Sequence, residues 1–227
     1  MLSGRLPTLL LAALVLAYFG PLIYAASTYP SGYDWQHTVV SNLANPRTNP
    51  GSWRVAADGI ALTGVLLAMT GFGACRVLRP FAPRWTSWAS AFFVLGGTLL
   101  TVSALITPGH MALLGLAKAH AKNAQAASFI TAVGMVLDVP ALLRLPPRFH
   151  FVRVAAIVIA VGPMVLFLVC RFVVPLFEHH AAEHGSIDDV LLGGLAFWEW
   201  VGSTAVIGFL ALVLLGIGGD GSKMDER

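Results

Sequence analysis

Six apolar stretches, each about as long as a lipid bilayer is thick, divide this chain and leave it few folds to choose from. They run roughly over residues 7–26, 57–78, 86–107, 124–143, 153–175 and 190–216. A helix needs about 20 residues to cross the hydrocarbon core, and each run meets that length. The runs are continuous rather than alternating, which favours helices over barrel strands, the two structures that satisfy their own backbone in lipid. Charge agrees: 11% of the residues are charged and 57% are hydrophobic, where water-soluble domains carry about a quarter charged residues. The expected architecture is all-α, one polytopic domain of six transmembrane helices over residues 1–217 followed by a short polar tail, 218–227.

Lys and Arg in short connections favour the cytoplasmic side. Arg5, Arg76, Arg79, Arg84, Arg144, Arg148, Arg153, Lys223 and Arg227 fall on one side of the six-span arrangement, and Arg47, Arg54, Lys118, Lys122 and Arg171 on the other. Nine against five places both termini in the cytoplasm of a multi-pass inner (plasma) membrane protein. Arg5, an apolar stretch and small residues at Ala25 and Ala26 also fit a secretory leader, but the first run is long enough to span and is expected to do so. The net charge of +3 comes with no basic stripe, which excludes a nucleic-acid partner. Cys75 and Cys170 fall near opposite ends of their spans, too far apart for a disulfide. Helices in lipid associate through small residues, so Gly71 and Gly73, Gly96 and Gly97, Gly193 and Gly194, and Gly202 with Ser203 are the expected contact points. No internal repeat of the transporter kind is evident.

On this topology six of the seven histidines reach one face: His37, then His110 and His120, then His179, His180 and His184. None lies centrally in a run, which excludes bis-histidine haem. In Glu178-His179-His180-Ala181-Ala182-Glu183-His184, a helical backbone would set His180 and His184 on one face, the spacing of two-histidine metal sites. His37 or His120 would supply a third ligand, leaving water in the fourth position of a zinc site. Glu183 or Asp188 would activate that water. The same segment also reads as a solvated polar loop that binds nothing in particular.

The connection over residues 27–56 is long and aromatic, and loops of that length in compact proteins tend to be functional or disordered. It holds Asp34, His37 and Ser41 close together. Its Tyr and Trp also suit an interfacial belt, and its Asn-Pro pairs suit turns.

The stretch Tyr33-Asp34-Trp35-Gln36-His37-Thr38-Val39-Val40-Ser41-Asn42-Leu43, followed by a Pro-containing turn, Trp53 and a second span, resembles the bacterial six-helix family catalogued as domain of unknown function nine-nine-eight. Thr107-Pro108-Gly109, His120, and Gly194-Leu195 with Glu199 extend the likeness over nearly the whole chain. The resemblance implies a six-helix membrane topology and no settled activity. A more distant similarity, to the Frag and DRAM-type six-helix proteins, implies a lipid setting. Histidines with an Asp and a Ser are also similar in composition to the sites of alkaline ceramidase-type membrane hydrolases, with Asp34, His37 and Ser41 in comparable parts.

Ionisable groups within spans are functional candidates by default. Asp58, near the start of the second span, suits a helix N-terminus. Asp138 is expected to pair with an inner-face Arg, and Arg171 to snorkel to the interface. Glu199 lies deeper and is expected to face the bundle, partnered by Arg171 or an outer-loop histidine.

Two readings of function follow. One is a metal-assisted hydrolase or transferase acting on a lipid or lipid-linked group, with His37, His120, His180 and His184 as the ligand set for zinc and Asp34, Ser41, Glu183 and Glu199 as its catalytic groups. The other is a non-enzymatic binder or transporter of a lipid or small ion, built on Glu199 and Arg171. Membrane lipids are the expected partners in both.

Overall fold

The computed structural model of the chain describes residues 6–35, 38–106, 119–168 and 195–218, with backbone alone at 119–122, 166–168 and 195–198. Its helices are α1 (Leu6–Ser27), α2 (Trp53–Leu78), α3 (Pro83–Leu105), α4 (Ala119–Leu137), the short α5 (Val139–Leu143), α6 (His150–Leu168) and α7 (Leu195–Gly216). Among the described residues there is no strand. Six segments are long and apolar enough to cross a membrane: Leu6–Ser27, Trp53–Leu78, Pro83–Leu105, Asn123–Leu143, Pro147–Val165 and Glu199–Gly216. The all-helical six-span architecture read from the sequence is therefore the one observed.

The helix boundaries have local causes. Pro83 opens α3 at its first turn, where a missing N–H costs nothing and the fixed φ already suits a helix. Pro140 ends α4, because a proline offers no amide to the preceding turn and its ring disfavours helical geometry just before it. The chain breaks at Asp138 and resumes as α5, with the Ala141 and Leu142 amides both donating to the Asp138 carbonyl at 3.0 and 3.1 Å. What reads as one apolar run over 124–143 is thus a helix and a short continuation joined at an acidic residue.

Neighbouring spans run antiparallel. Gly64 of α2 meets Gly97 of α3 so closely that a Cβ at Gly64 would lie 2.5 Å from the Gly97 carbonyl oxygen, and the Thr101 hydroxyl donates across to Ala61 O at 3.1 Å. Gly96 abuts Thr131 of α4, Gly71 abuts Phe93, and Gly216 of α7 abuts Val152 of α6. Small residues therefore set the helix spacing, as expected where packing rather than apolar burial drives association. The particular glycines differ in part. Gly71, Gly96 and Gly97 are contact points, but among the described residues Gly202 has nothing within 4 Å and Gly73 only Leu214 at 3.9 Å. Gly59, set against Pro21 of α1, and Gly64 take their place. Gly193 and Gly194 lie outside the described residues.

α7 packs against α6, α1 and α2 and closes the bundle. Phe93, Phe209, Leu78, Leu142, Leu210 and Val213 are fully buried at its centre, while side chains such as Leu16 (71% exposed) and Phe151 (77%) face outward, the arrangement lipid requires. The two ends of the bundle differ. At one end the Arg144 guanidinium donates to Phe81 O at 3.2 Å, tying the α5 turn to the α2–α3 turn. The opposite end carries loop one, residues 28–52, against the start of α7.

Two readings of charge are corrected. Asp138 is fully buried, and its partner is Cys75, whose thiol lies 3.5 Å from Oδ2; the inner-face Arg144 is committed to a carbonyl instead. Asp58 is exposed and lies beyond the first turn of α2, so it does not cap that helix. Cys75 is a buried free thiol, and Cys170 lies outside the described residues.

Candidate functional site

Loop one is a folded unit held by side chains. Asn49 is fully buried and its amide donates to Ala25 O (3.3 Å) and Leu43 O (3.0 Å), while its Oδ1 accepts from the Ser52 hydroxyl at 2.9 Å. Ser52 also bonds Thr28 at 2.7 Å, and the Thr48 hydroxyl donates to Asn42 O at 2.7 Å. These bonds join the end of α1, the loop and the start of α2, and they present a 3-10 turn, Val40–Asn42, to α7.

At that turn the Val40 amide donates to Glu199 Oε2 at 2.6 Å. The Ser203 hydroxyl, one helical turn along α7, donates to Glu199 O at 2.7 Å and accepts from the Tyr18 phenol of α1 at 2.7 Å. The first span, loop one and the last span are thereby linked through Glu199 and its neighbours. Glu199 faces the bundle and accepts from a backbone amide; of the partners expected for it, Arg171 and the outer-loop histidines lie outside the described side chains.

Six aromatic rings surround this link. Trp200 stacks on Phe19 (centroids 6.3 Å apart, 15° between planes), meets Tyr18 edge-on at 6.0 Å and lies 4.9 Å from Trp35. Trp35 packs edge-on against Tyr33 at 5.0 Å, and Tyr33 against Tyr29 at 5.7 Å. The Tyr33 phenol donates to Thr38 O at 2.6 Å. Burial pushes its ionisation up to about 12, and the nearby Glu199 carboxylate adds to the rise. The Trp200 indole N–H lies against this phenol, offsetting part of the rise, and is otherwise buried without an acceptor among the described residues. Rings in such edge-on and offset pairs contribute about 0.5–1.5 kcal/mol each beyond the area they bury.

Trp200 has a second neighbourhood. Together with Val201, Thr204, Ala205 and Gly208 it forms one wall of an open groove whose other wall is Val158, Ile159, Gly162 and Pro163 of α6. The groove has a volume of about 600 Å³ and is almost entirely apolar. Both walls belong to segments apolar enough to cross a membrane.

Of the residues singled out from the sequence, Glu199 and Ser41 are brought near each other, since Ser41 follows the amide that Glu199 accepts. Ser41 is half-buried and its hydroxyl makes no hydrogen bond among the described residues. Asp34 is exposed, its carbonyl accepting from the Thr38 amide at 2.8 Å. His37, Glu183, His180, His184 and Arg171 lie outside the described residues, and His120 sits in the first turn of α4 where the backbone alone is described. Among the described residues no three of His, Cys, Asp and Glu gather as a metal site would require. Asn49 and Tyr18 were missed. Asn49 reads in sequence as an ordinary Asn-Pro turn, and the signal for Tyr18 is a phenol in the middle of an apolar run, which in lipid requires a partner.

No protein-family model, curated protein or solved structure matches the chain.

Proposed function

We propose that the protein is a non-enzymatic lipid-binding membrane protein, with the groove between α6 and α7 taking an acyl chain of a phospholipid. One observation carries the reading: an open groove of about 600 Å³, lined by two spanning helices and bordered at one end by Trp200. Ligand sites have volumes of about 300–1,000 Å³ and mostly apolar linings with few polar groups, and Thr204 is the one side chain in these walls with a hydroxyl. At bilayer depth the molecules available to fill such a lining are lipid chains. Glu199 serves in this reading to hold loop one over the end of the groove rather than to act on a substrate. The excess of Lys and Arg at the Arg144 end supports that end being cytoplasmic, with loop one outside, in a plasma membrane.

The hydrolase or transferase reading needs Asp34, Ser41 and Glu199 to act on one point beside a zinc ion held by histidines. Among these three, Glu199 is committed to a backbone amide, and no observation favours that reading over the first. Kinship with the six-helix family rests on the Tyr33–Leu43 stretch and its companion motifs, and would supply topology rather than activity.

The test is the phospholipid retained by protein purified in mild detergent, counted per chain. About one is expected in the wild type and close to none after Gly162→Leu with Gly208→Leu, two changes that fill the groove where, among the described residues, only Val158 (4.0 Å) and Ile159 (3.8 Å) approach. A wild type that retains no lipid, or a filled variant that retains as much, would refute the reading.

A further inference from the structure

At the end of the bundle opposite loop one, we infer a binding surface for the head group of an anionic phospholipid, built from Arg79, Arg84 and Arg144 at the α2–α3 turn. Arg79 directly follows α2 and Arg84 lies in the first turn of α3, so the two flank the turn. The Arg144 guanidinium is brought to the same turn by its 3.2 Å bond to Phe81 O. All three residues are exposed. A carbonyl is a neutral acceptor, so that bond holds Arg144 in place without offsetting its charge. Arg76, one helical turn before Arg79, adds a fourth cation, its guanidinium over the Phe72 ring at 5.5 Å from the centroid. Residues 74–90 and 139–153, which form this end, contain six arginines and neither Asp nor Glu. Asp138, just before the second of these segments, is fully buried with Cys75 as its partner. The tail, 218–227, brings three carboxylates and two basic residues, too few to balance six guanidiniums wherever it lies.

The position of the cluster makes the occupant a lipid rather than a soluble anion. Two segments apolar enough to cross a membrane end at this turn, the depth at which head groups lie. Trp85 and Trp88, exposed and one helical turn apart, follow Arg84, as rings at a membrane interface do. Val65, Met69 and Phe72 continue the face of α2 that carries Arg76 and are exposed, an apolar stripe for an acyl chain below the head group. Guanidinium forks match phosphate oxygens two at a time, and basic clusters where helices leave the membrane attract anionic head groups. Phosphatidylglycerol offers a phosphate with its charge intact, whereas the cation of phosphatidylcholine cancels its own phosphate.

The experiment supplies phosphatidylglycerol and phosphatidylcholine of the same acyl chains together and counts each on the protein by native mass spectrometry. The wild type is expected to favour phosphatidylglycerol about tenfold, and Arg79→Gln with Arg84→Gln to bind the two alike. Arg79→Lys with Arg84→Lys, which keeps the charge, is expected to retain a preference. Gly162→Leu with Gly208→Leu fills the groove between α6 and α7 and leaves this turn untouched, so the preference should persist there; its loss would place the selectivity in the groove and overturn the inference. Equal retention of the two lipids by the wild type, or an unchanged preference in the glutamine variant, also overturns it, and neither result touches the groove reading. Where the glutamine variant fails to fold, the wild type decides: salt screens exposed charges, so the preference must fall as ionic strength rises, and a salt-independent preference overturns the assignment. Displacement of phosphatidylglycerol by an equal concentration of inorganic phosphate assigns the cluster to a free anion and overturns the lipid assignment.

Discussion

Asn49 shows how much of loop one depends on a single polar side chain. Its amide and carbonyl close three hydrogen bonds in a fully buried position, and a buried donor or acceptor stripped of its partner costs about 1–3 kcal/mol. Asn49→Ala leaves Ala25 O, Leu43 O and the Ser52 hydroxyl short of a partner, so a loss of about 2–3 kcal/mol is expected, read as a lowered unfolding midpoint in detergent. Asn45→Ala is the contrast, since Asn45 Oδ1 accepts one exposed bond from Arg47 N at 3.0 Å and should cost under about 1 kcal/mol. Equal effects from the two changes would contradict the role given to Asn49. Nothing in the sequence separates these two asparagines, each followed by proline. The difference arises from where the chain end of α1 sits, which is a tertiary fact.

At the scale of elements, the spans were legible because lipid demands a fixed length of apolar helix and the chain supplies six of them. The pairings were less so. Gly96 and Gly97 could be read as contact residues from size alone, but Gly64 became one only because Gly97 and Thr101 of α3 stand opposite. Gly64→Leu is expected to destabilise the protein by at least about 1–3 kcal/mol, the cost of forcing atoms into a filled contact. Gly73→Ala, with Leu214 no nearer than 3.9 Å, should change stability by no more than about 0.5 kcal/mol. Similar losses at both positions would count against the α2–α3 packing. The break at Asp138 was legible in Pro140, yet its pairing with Cys75 was not, because an arginine nearby in sequence looked the better partner. Arg144 instead satisfies the Phe81 carbonyl, a group that turns away from any helix and needs a donor.

For the whole molecule, the two ends have different work. The arginine-bearing end ties turns together, and the loop-one end gathers the carboxylate, the aromatic rings and the mouth of the groove. Cysteines at exposed Ser31 and exposed Pro80, introduced after Cys75 and Cys170 are replaced by alanine, should react with an impermeant maleimide from opposite sides of the membrane, Pro80→Cys from the cytoplasm. Reaction of both from one side would contradict the six-span arrangement. The end as a whole depends on Glu199, which joins the last span to loop one through one backbone amide. Glutamate at 199 was readable as a bundle-facing charge, but an amide partner leaves no trace in sequence, and so the link itself was not. Hydrogen exchange at the Val40 amide in lipid nanodiscs tests that link most directly. Protection is expected in the wild type and in Glu199→Gln, where an acceptor remains, with exchange accelerated at least about tenfold in Glu199→Leu; equal exchange in all three would contradict the account.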